Sequence, residues 1–209
     1  MADMPTRSSV AHSSQDRRTW YDSDDILDAI GVKPGLVCAD LGCGAGEFTF
    51  PLARRVGSDG RVYAVDVSVS ALDQLKIKKP GANIVTLRAD LTETRLPAAS
   101  CDLALLAFSL TGTLDPGAVL AEAARLLKPD GRLAVVDWRP VPPPPGPPMD
   151  RRIRSDRMQR LLESHGFVAA QRLREGAVFY TLVAQKGKPA PAPAMRPQPA
   201  RSPAKPARR

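Results

Sequence analysis

The sequence predicts an α/β fold: a doubly wound seven-stranded sheet of five parallel strands, finished by a C-terminal antiparallel hairpin. Three observations predict it. Short apolar runs alternate with helical patterns four times before a fifth apolar run is reached. The first of these runs, Leu36 to Leu41, ends in glycines at alternate positions, Gly42, Gly44 and Gly46, as a buried parallel strand turning into a helix does. The last two runs, Phe167–Leu173 and Ala177–Gln185, are separated only by Arg174-Glu-Gly176, too short for a parallel crossover.

Each element has its own justification. Residues 1–15 are polar and Ser-rich, so disorder is expected there. Asp22 or Ser23 caps a first helix with Asp24 and Asp25 in its opening turn, Ile26, Leu27 and Ile30 as its stripe and Gly31 as its stop. Trp20 and Tyr21, just upstream, either plug the sheet edge or cover a ligand pocket. Glu47–Val56 reads as a helix, with Phe48, Leu52 and Val56 on one face. Arg61–Asp66 is the second strand and Ser68–Lys78 the helix after it. Ile84–Ala89 is the third strand, followed by Asp90. Cys101–Phe108, almost purely apolar, is a central strand. Asp115-Pro-Gly opens a helix, with Pro116 suited to its first turn. Lys128-Pro-Asp-Gly131 ends that helix, and Arg132–Trp138 is the fifth strand. The run Pro140–Pro148 is a stiff extended connection leaving the carboxyl edge, either a plain linker or a pocket wall. Ser155–His165 is a helix stopped by Gly166. From residue 187 the composition becomes Pro, Ala, Lys and Arg, which marks 187–209 as a disordered tail. One domain, 16–186, is left between the two termini.

Composition narrows the function. No run of eighteen apolar residues is present, so no membrane span is expected, and residues 1–9 have no apolar core of a secretory signal. Cys38, Cys43 and Cys101 lack the spacing of a zinc site or a disulfide framework. A reducing cytoplasm is the natural setting. The net charge of +8 is unevenly spread. Residues 185–209 hold seven Lys and Arg and no acid, leaving about +1 for the rest. Weak contact with nucleic acid or an acidic partner is therefore a matter for the tail.

The glycine loop carries the chemistry. Its pattern is Asp40-Leu-Gly-Cys-Gly-Ala-Gly46, and the sixth position from Gly42 is Glu47, so the dinucleotide fingerprint fails. An acid two residues before the first glycine suits a ligand with a positive group and would repel a pyrophosphate. Asp66, at the end of the second strand, can accept both hydroxyls of a ribose. The alternative for Asp66 is a cap on the helix that follows.

Together, Asp40–Gly46, Val65-Asp66, Arg88-Ala-Asp90 and Leu126–Leu133 resemble the class I S-adenosylmethionine-dependent methyltransferases. Small single-domain enzymes similar to the ubiquinone/menaquinone C-methyltransferases are the nearest in kind. The resemblance covers residues 17–186 and implies a Rossmann-like sheet with S-adenosyl-L-methionine as cofactor. It implies that Asp40, Gly42, Cys43, Gly44 and Gly46 hold the methionine end. Asp66 with Val67 would meet the ribose, Asp90 with Leu91 the adenine, and Phe108 and Ser109 the sulfonium. A cap or turn role remains the alternative for Asp90. Many relatives place a His or an acid after the fourth strand. Here the run is Ala107–Asp115, which puts a general base in doubt. Asp137, Asp115, His165 and Tyr21 are candidates, and none is assigned. The Asn/Asp-Pro-Pro-aromatic motif of base and amide methylation, the Pro-Cys of cytosine C5 methylation and the extra cysteines of arsenite methylation are all missing. The expected activity is methyl transfer to a small molecule. The alternatives are a protein or RNA substrate recruited by the tail, or a cofactor-binding regulator without catalysis.

Overall fold

The computed structural model describes residues 21–142 and 146–187. Trp20, both termini and Pro143–Pro145 lie outside the described residues. The elements are α1 (Ser23–Ile30), β1 (Val37–Leu41), α2 (Thr49–Val56), β2 (Arg61–Asp66), α3 (Val69–Ile77), β3 (Ile84–Arg88), β4 (Cys101–Ala107), α4 (Pro116–Leu126), β5 (Leu127–Trp138), α5 (Ser155–Ser164), β6 (Phe167–Glu175) and β7 (Phe179–Lys186). Short 3-10 turns occur at Leu110–Gly112 and Met149–Arg151. The seven strands lie in the order β3-β2-β1-β4-β5-β7-β6. β1 to β5 pair in parallel, and β7 pairs antiparallel with both β5 and β6.

Side-chain alternation along the strands divides the core between two faces. Leu103 and Leu105 of β4 point to α1 and α2, joining Ile26, Leu27, Leu52 and Val56. Ala104 and Leu106 point the other way, to Leu120 and Leu126 of α4 and Met158 and Leu162 of α5. The helices therefore cover both faces, which is why β4 reads as a continuous apolar run. No helix among the described residues is long and apolar enough to cross a membrane.

Several boundaries differ from the sequence reading for local reasons. The helix after the glycine loop begins at Thr49, because residues 42–48 form turns before it. β5 begins at Leu127, not Arg132: Leu127 pairs with Cys101, the register shifts, and pairing resumes at Leu103 with Arg132. Lys128 is held there by its Nζ donating to Asp102 at 2.7 Å. The cap of α3 is Ser68, whose hydroxyl accepts from the Ala71 amide, so Asp66 does not cap that helix. The first helix is capped by Asp22, which accepts from the Asp24 amide at 2.8 Å. Its exposed acids pair with the next helix, Arg54 and Arg55 with Asp24, and Arg55 with Asp28.

Candidate active site

A cleft of about 780 Å³ opens at the carboxyl ends of β1, β2 and β4. Asp40, Gly42, Cys43, Gly44, Asp66, Val67, Asp90, Leu91 and Phe108 all line it. Gly46 does not: it faces a neighbouring cleft shared with Tyr21 and Phe179. The glycines also serve a purpose other than ligand approach. A Cβ at Gly42 would stand 2.6 Å from the Ser109 Cβ, and one at Gly46 would stand 2.6 Å from the Phe50 ring. Only Gly44 of the three has open space where a side chain would project. All three have positive φ, so the loop is held by close protein packing as much as by a ligand's need for backbone.

Two acids organise the loop. Asp40 is fully buried at the end of β1 and accepts from the Thr49 hydroxyl at 2.6 Å, joining strand to helix across the glycines. Burial pushes its carboxyl up to about 7, with Asp66 and Glu47 adding repulsion. Asp66 accepts from the Gly44 amide and from the Ser68 amide, both at 2.8 Å. It thus ties the glycine loop to the start of α3, and each of its oxygens, with one bond made, can accept another. Asp90 takes the turn role: it accepts from the Thr92 amide and hydroxyl at 2.8 and 2.7 Å, which holds its carboxyl below the usual range. It lines the cleft as well.

Phe108 is the strained member. Its φ of 57° is left-handed, and of the five non-glycine residues with positive φ among the described residues it is the one in the cleft wall. A side chain there costs about 1–2 kcal/mol. Packing fixes it: its ring lies 4.9 Å from Tyr21 and 4.8 Å from Trp138, and its amide donates to the Val136 carbonyl at 2.7 Å. Ser109 next to it donates to the Leu41 carbonyl at 3.0 Å, so its hydroxyl is engaged with β1.

The four candidate bases have other work. Asp115 caps α4 through the Ala118 amide, 2.9 Å away. His165 ends α5, its Nδ1 2.8 Å from the Leu161 carbonyl. Asp137 is buried and accepts from Thr111 and Trp138. Tyr21 is buried in the aromatic stack beside Phe48, Phe108 and Phe179. None lines the main cleft. Tyr21 packs against Phe108 and lines the neighbouring cleft, not this one. Of the proline run, no described residue lines this cleft. Gly146 instead lies against the back of Trp138, where a Cβ would come within 2.7 Å of the ring.

Sequence reasoning missed Glu47, Gln74, Lys78 and Thr113 as lining residues. Glu47 served only to reject the dinucleotide pattern, although an acid directly after the glycine loop is a visible signal. Lys78 had none: its Nζ donates to the Ala45 carbonyl at 2.7 Å across 33 positions of sequence. The cleft is thus lined by four carboxylates, Asp40, Glu47, Asp66 and Asp90, against Lys78. Among the described residues no group of three or more His, Cys, Asp or Glu is arranged to hold a metal ion.

The chain is similar to known proteins. A family model described as a methyltransferase domain matches residues 39–135. A 2-phytyl-1,4-naphtoquinone methyltransferase of Trichormus variabilis is 36% identical over 112 residues, 52% of this chain and 49% of that protein. Nocamycin O-methyltransferase of Saccharothrix syringae is 36% identical over 122 residues, 57% of this chain and 43% of that one. The chain spans about half the length of these curated relatives. The crystal structure of a SAM-dependent methyltransferase from Aquifex aeolicus, 28% identical, superposes with a TM-score of 0.76 over 81% of this chain and 92% of that one. In its matched domain, its relatives and its sheet topology, the chain is similar to the class I S-adenosylmethionine-dependent methyltransferases.

Proposed function

We propose that this protein transfers a methyl group from S-adenosyl-L-methionine to a small-molecule acceptor. The observation that carries the reading is the charge of the cleft: four carboxylates and one lysine surround a loop that would otherwise suit a phosphate. Such a lining favours a ligand bearing an ammonium and a sulfonium and disfavours a dinucleotide. The cofactor, when bound, supplies a methyl group on a positively charged sulfur. Asp40, Glu47 and the loop at Cys43 and Gly44 receive the methionine end. Asp66 takes the ribose hydroxyls on its free lone pairs, with Val67 beside it. Asp90 and Leu91 border the adenine, and Phe108 stands at the acceptor side. Methyl transfer needs donor and acceptor in line, and alignment of that kind contributes on the order of 7–11 kcal/mol. The chain's contribution is positional, since none of the candidate bases lines the cleft. The small-molecule acceptor is supported by the relatives, whose names give a naphthoquinone and nocamycin. A cytoplasmic setting is supported by three buried cysteines, all free.

Calorimetry of S-adenosylmethionine binding to the wild type and to Asp66→Ala tests this. Micromolar binding, weakened at least about tenfold in the variant, is expected, a loss of about 1.4 kcal/mol or more. Absence of binding by folded protein overturns the reading, and NADH becomes the next ligand to try.

A further inference from the structure

We infer that Asp137 is a positioning residue for the acceptor wall of the cleft, holding the Leu110–Gly112 turn and the Phe108 ring in place through Thr111 and Trp138. The inference rests on the methyl-transfer reading for the word acceptor, and on geometry for the rest. β4 ends at Ala107, and the chain must reverse through the left-handed Phe108 before it reaches the turn. Nothing in the turn's own sequence, Leu-Thr-Gly, fixes its direction. The fixing point is on the neighbouring strand. Asp137, fully buried at the end of β5, accepts from the Thr111 amide at 3.1 Å through Oδ2 and from the Thr111 hydroxyl at 2.6 Å through Oδ1. Its Oδ1 also accepts from the Trp138 amide at 2.8 Å. One carboxylate therefore sets both the turn, which delivers Gly112 and Thr113 to the cleft, and the residue whose ring packs 4.8 Å from Phe108.

A second layer supports the first. Arg152, also buried, lies 5.5 Å over the Trp138 ring and donates to the Arg139 and Pro147 carbonyls at 3.0 and 2.9 Å. It clamps the connection after β5 against the back of Trp138. The charged and titratable groups acting on Asp137 are Arg152, which attracts its negative charge, and Tyr180 of β7, whose hydroxyl is pushed up by burial and further by that charge. Burial raises the Asp137 carboxyl to about 6, Thr111 and Trp138 opposing. The turn thus meets a fully charged carboxylate only above that pH.

The test compares the wild type with Asp137→Asn, Thr111→Val and Thr111→Ser, in a Trp20→Phe background so that Trp138 alone reports. Amide exchange at Gly112 and Thr113 is expected to rise at least about tenfold in Asp137→Asn and Thr111→Val. Exchange in β1 and β2 should stay unchanged, and Thr111→Ser should restore protection. The wild-type Trp138 emission should titrate near pH 6, and Asp137→Asn should abolish that step. Affinity for S-adenosylmethionine should stay within about twofold. Unchanged exchange at Gly112 and Thr113, or an equal rise throughout the sheet, overturns the inference, as does failure of serine to rescue. A parallel loss of cofactor affinity overturns it too, because Asp137 would then serve the cofactor side. If Asp137→Asn does not fold, Thr111→Val decides by the same readings. If the wild type binds no S-adenosylmethionine, the methyl-transfer reading fails, while exchange and emission still decide whether Asp137 sets the wall.

Discussion

Asp40 shows at the scale of one residue how a binding site and stability oppose each other. Its carboxyl, raised by burial to about 7, holds a proton in the folded protein that the unfolded chain releases near 3.8. Stability contributed by that proton is therefore complete below pH 3.8 and is lost as pH rises towards 7. Asp40→Asn keeps an oxygen for the Thr49 hydroxyl and removes the buried charge. The ligand-free variant should be more stable than the wild type at pH 8, by about 1–3 kcal/mol in denaturant titration, and equal to it near pH 4. On the proposed reading its affinity for S-adenosylmethionine should fall, since the ammonium would lose a buried counter-charge. Wild-type affinity should itself weaken as pH drops below 7, and calorimetry in buffers of different ionisation enthalpy should detect proton release on binding. The glycines divide by the same logic. Gly46→Ala should destabilise the protein by about 1–3 kcal/mol in thermal melts, from φ strain and the Phe50 contact. Gly44→Ala adds strain without a clash, so more of its effect should appear in cofactor affinity.

At the scale of elements, the loop from Asp90 to Pro97 is held by a partner that spacing does not reveal. Glu122 of α4 accepts from the Thr94 amide and hydroxyl at 2.8 and 2.6 Å and from Arg125 at 2.6 Å, and Arg125 also donates to the Leu96 carbonyl. Burial opposes its charge, yet Arg125 and Thr94 hold the carboxyl down to about 2. Because the folded value lies below the unfolded 4.5, this contribution is present above pH 4.5 and is lost as pH falls towards 2. Glu122→Ala should cost about 1.5–3 kcal/mol at pH 7 and loosen the Asp90 turn, read as faster exchange of the Thr92 and Thr94 amides. In the sequence Glu122 stands between Ala121 and Ala123 with nothing to mark its partner. The same blindness explains β5: the motif Lys128-Pro-Asp-Gly131 reads as a helix stop, and only the pairing of Leu127 with Cys101 makes it the start of a strand.

The whole molecule separates its charge. Seven cations sit in residues 185–209, while the rest of the chain is nearly neutral. Removal of 188–209 should leave the melting temperature and S-adenosylmethionine affinity unchanged. It should abolish salt-sensitive retention on a heparin column, since that retention depends on clustered cations. A protein or RNA acceptor recruited through the tail would instead show turnover that falls on truncation.

The sequence by itself determined the sheet, its terminal hairpin and the acids at the strand ends. Those follow from local signals: apolar period, turn residues, and a connection too short to cross over. It also determined that Asp40, Asp66 and Asp90 would gather at one edge, since parallel strands deliver their carboxyl ends to the same side. The tertiary structure decided which of those acids is buried, which is tied into a turn, and which long-range partners hold the loops. Thr49 with Asp40, Lys78 with Ala45, Glu122 with Thr94 and Asp137 with Thr111 are all contacts between separate elements. Such pairs have no fixed spacing, because the distance between them is set by packing and not by the period of any helix or strand.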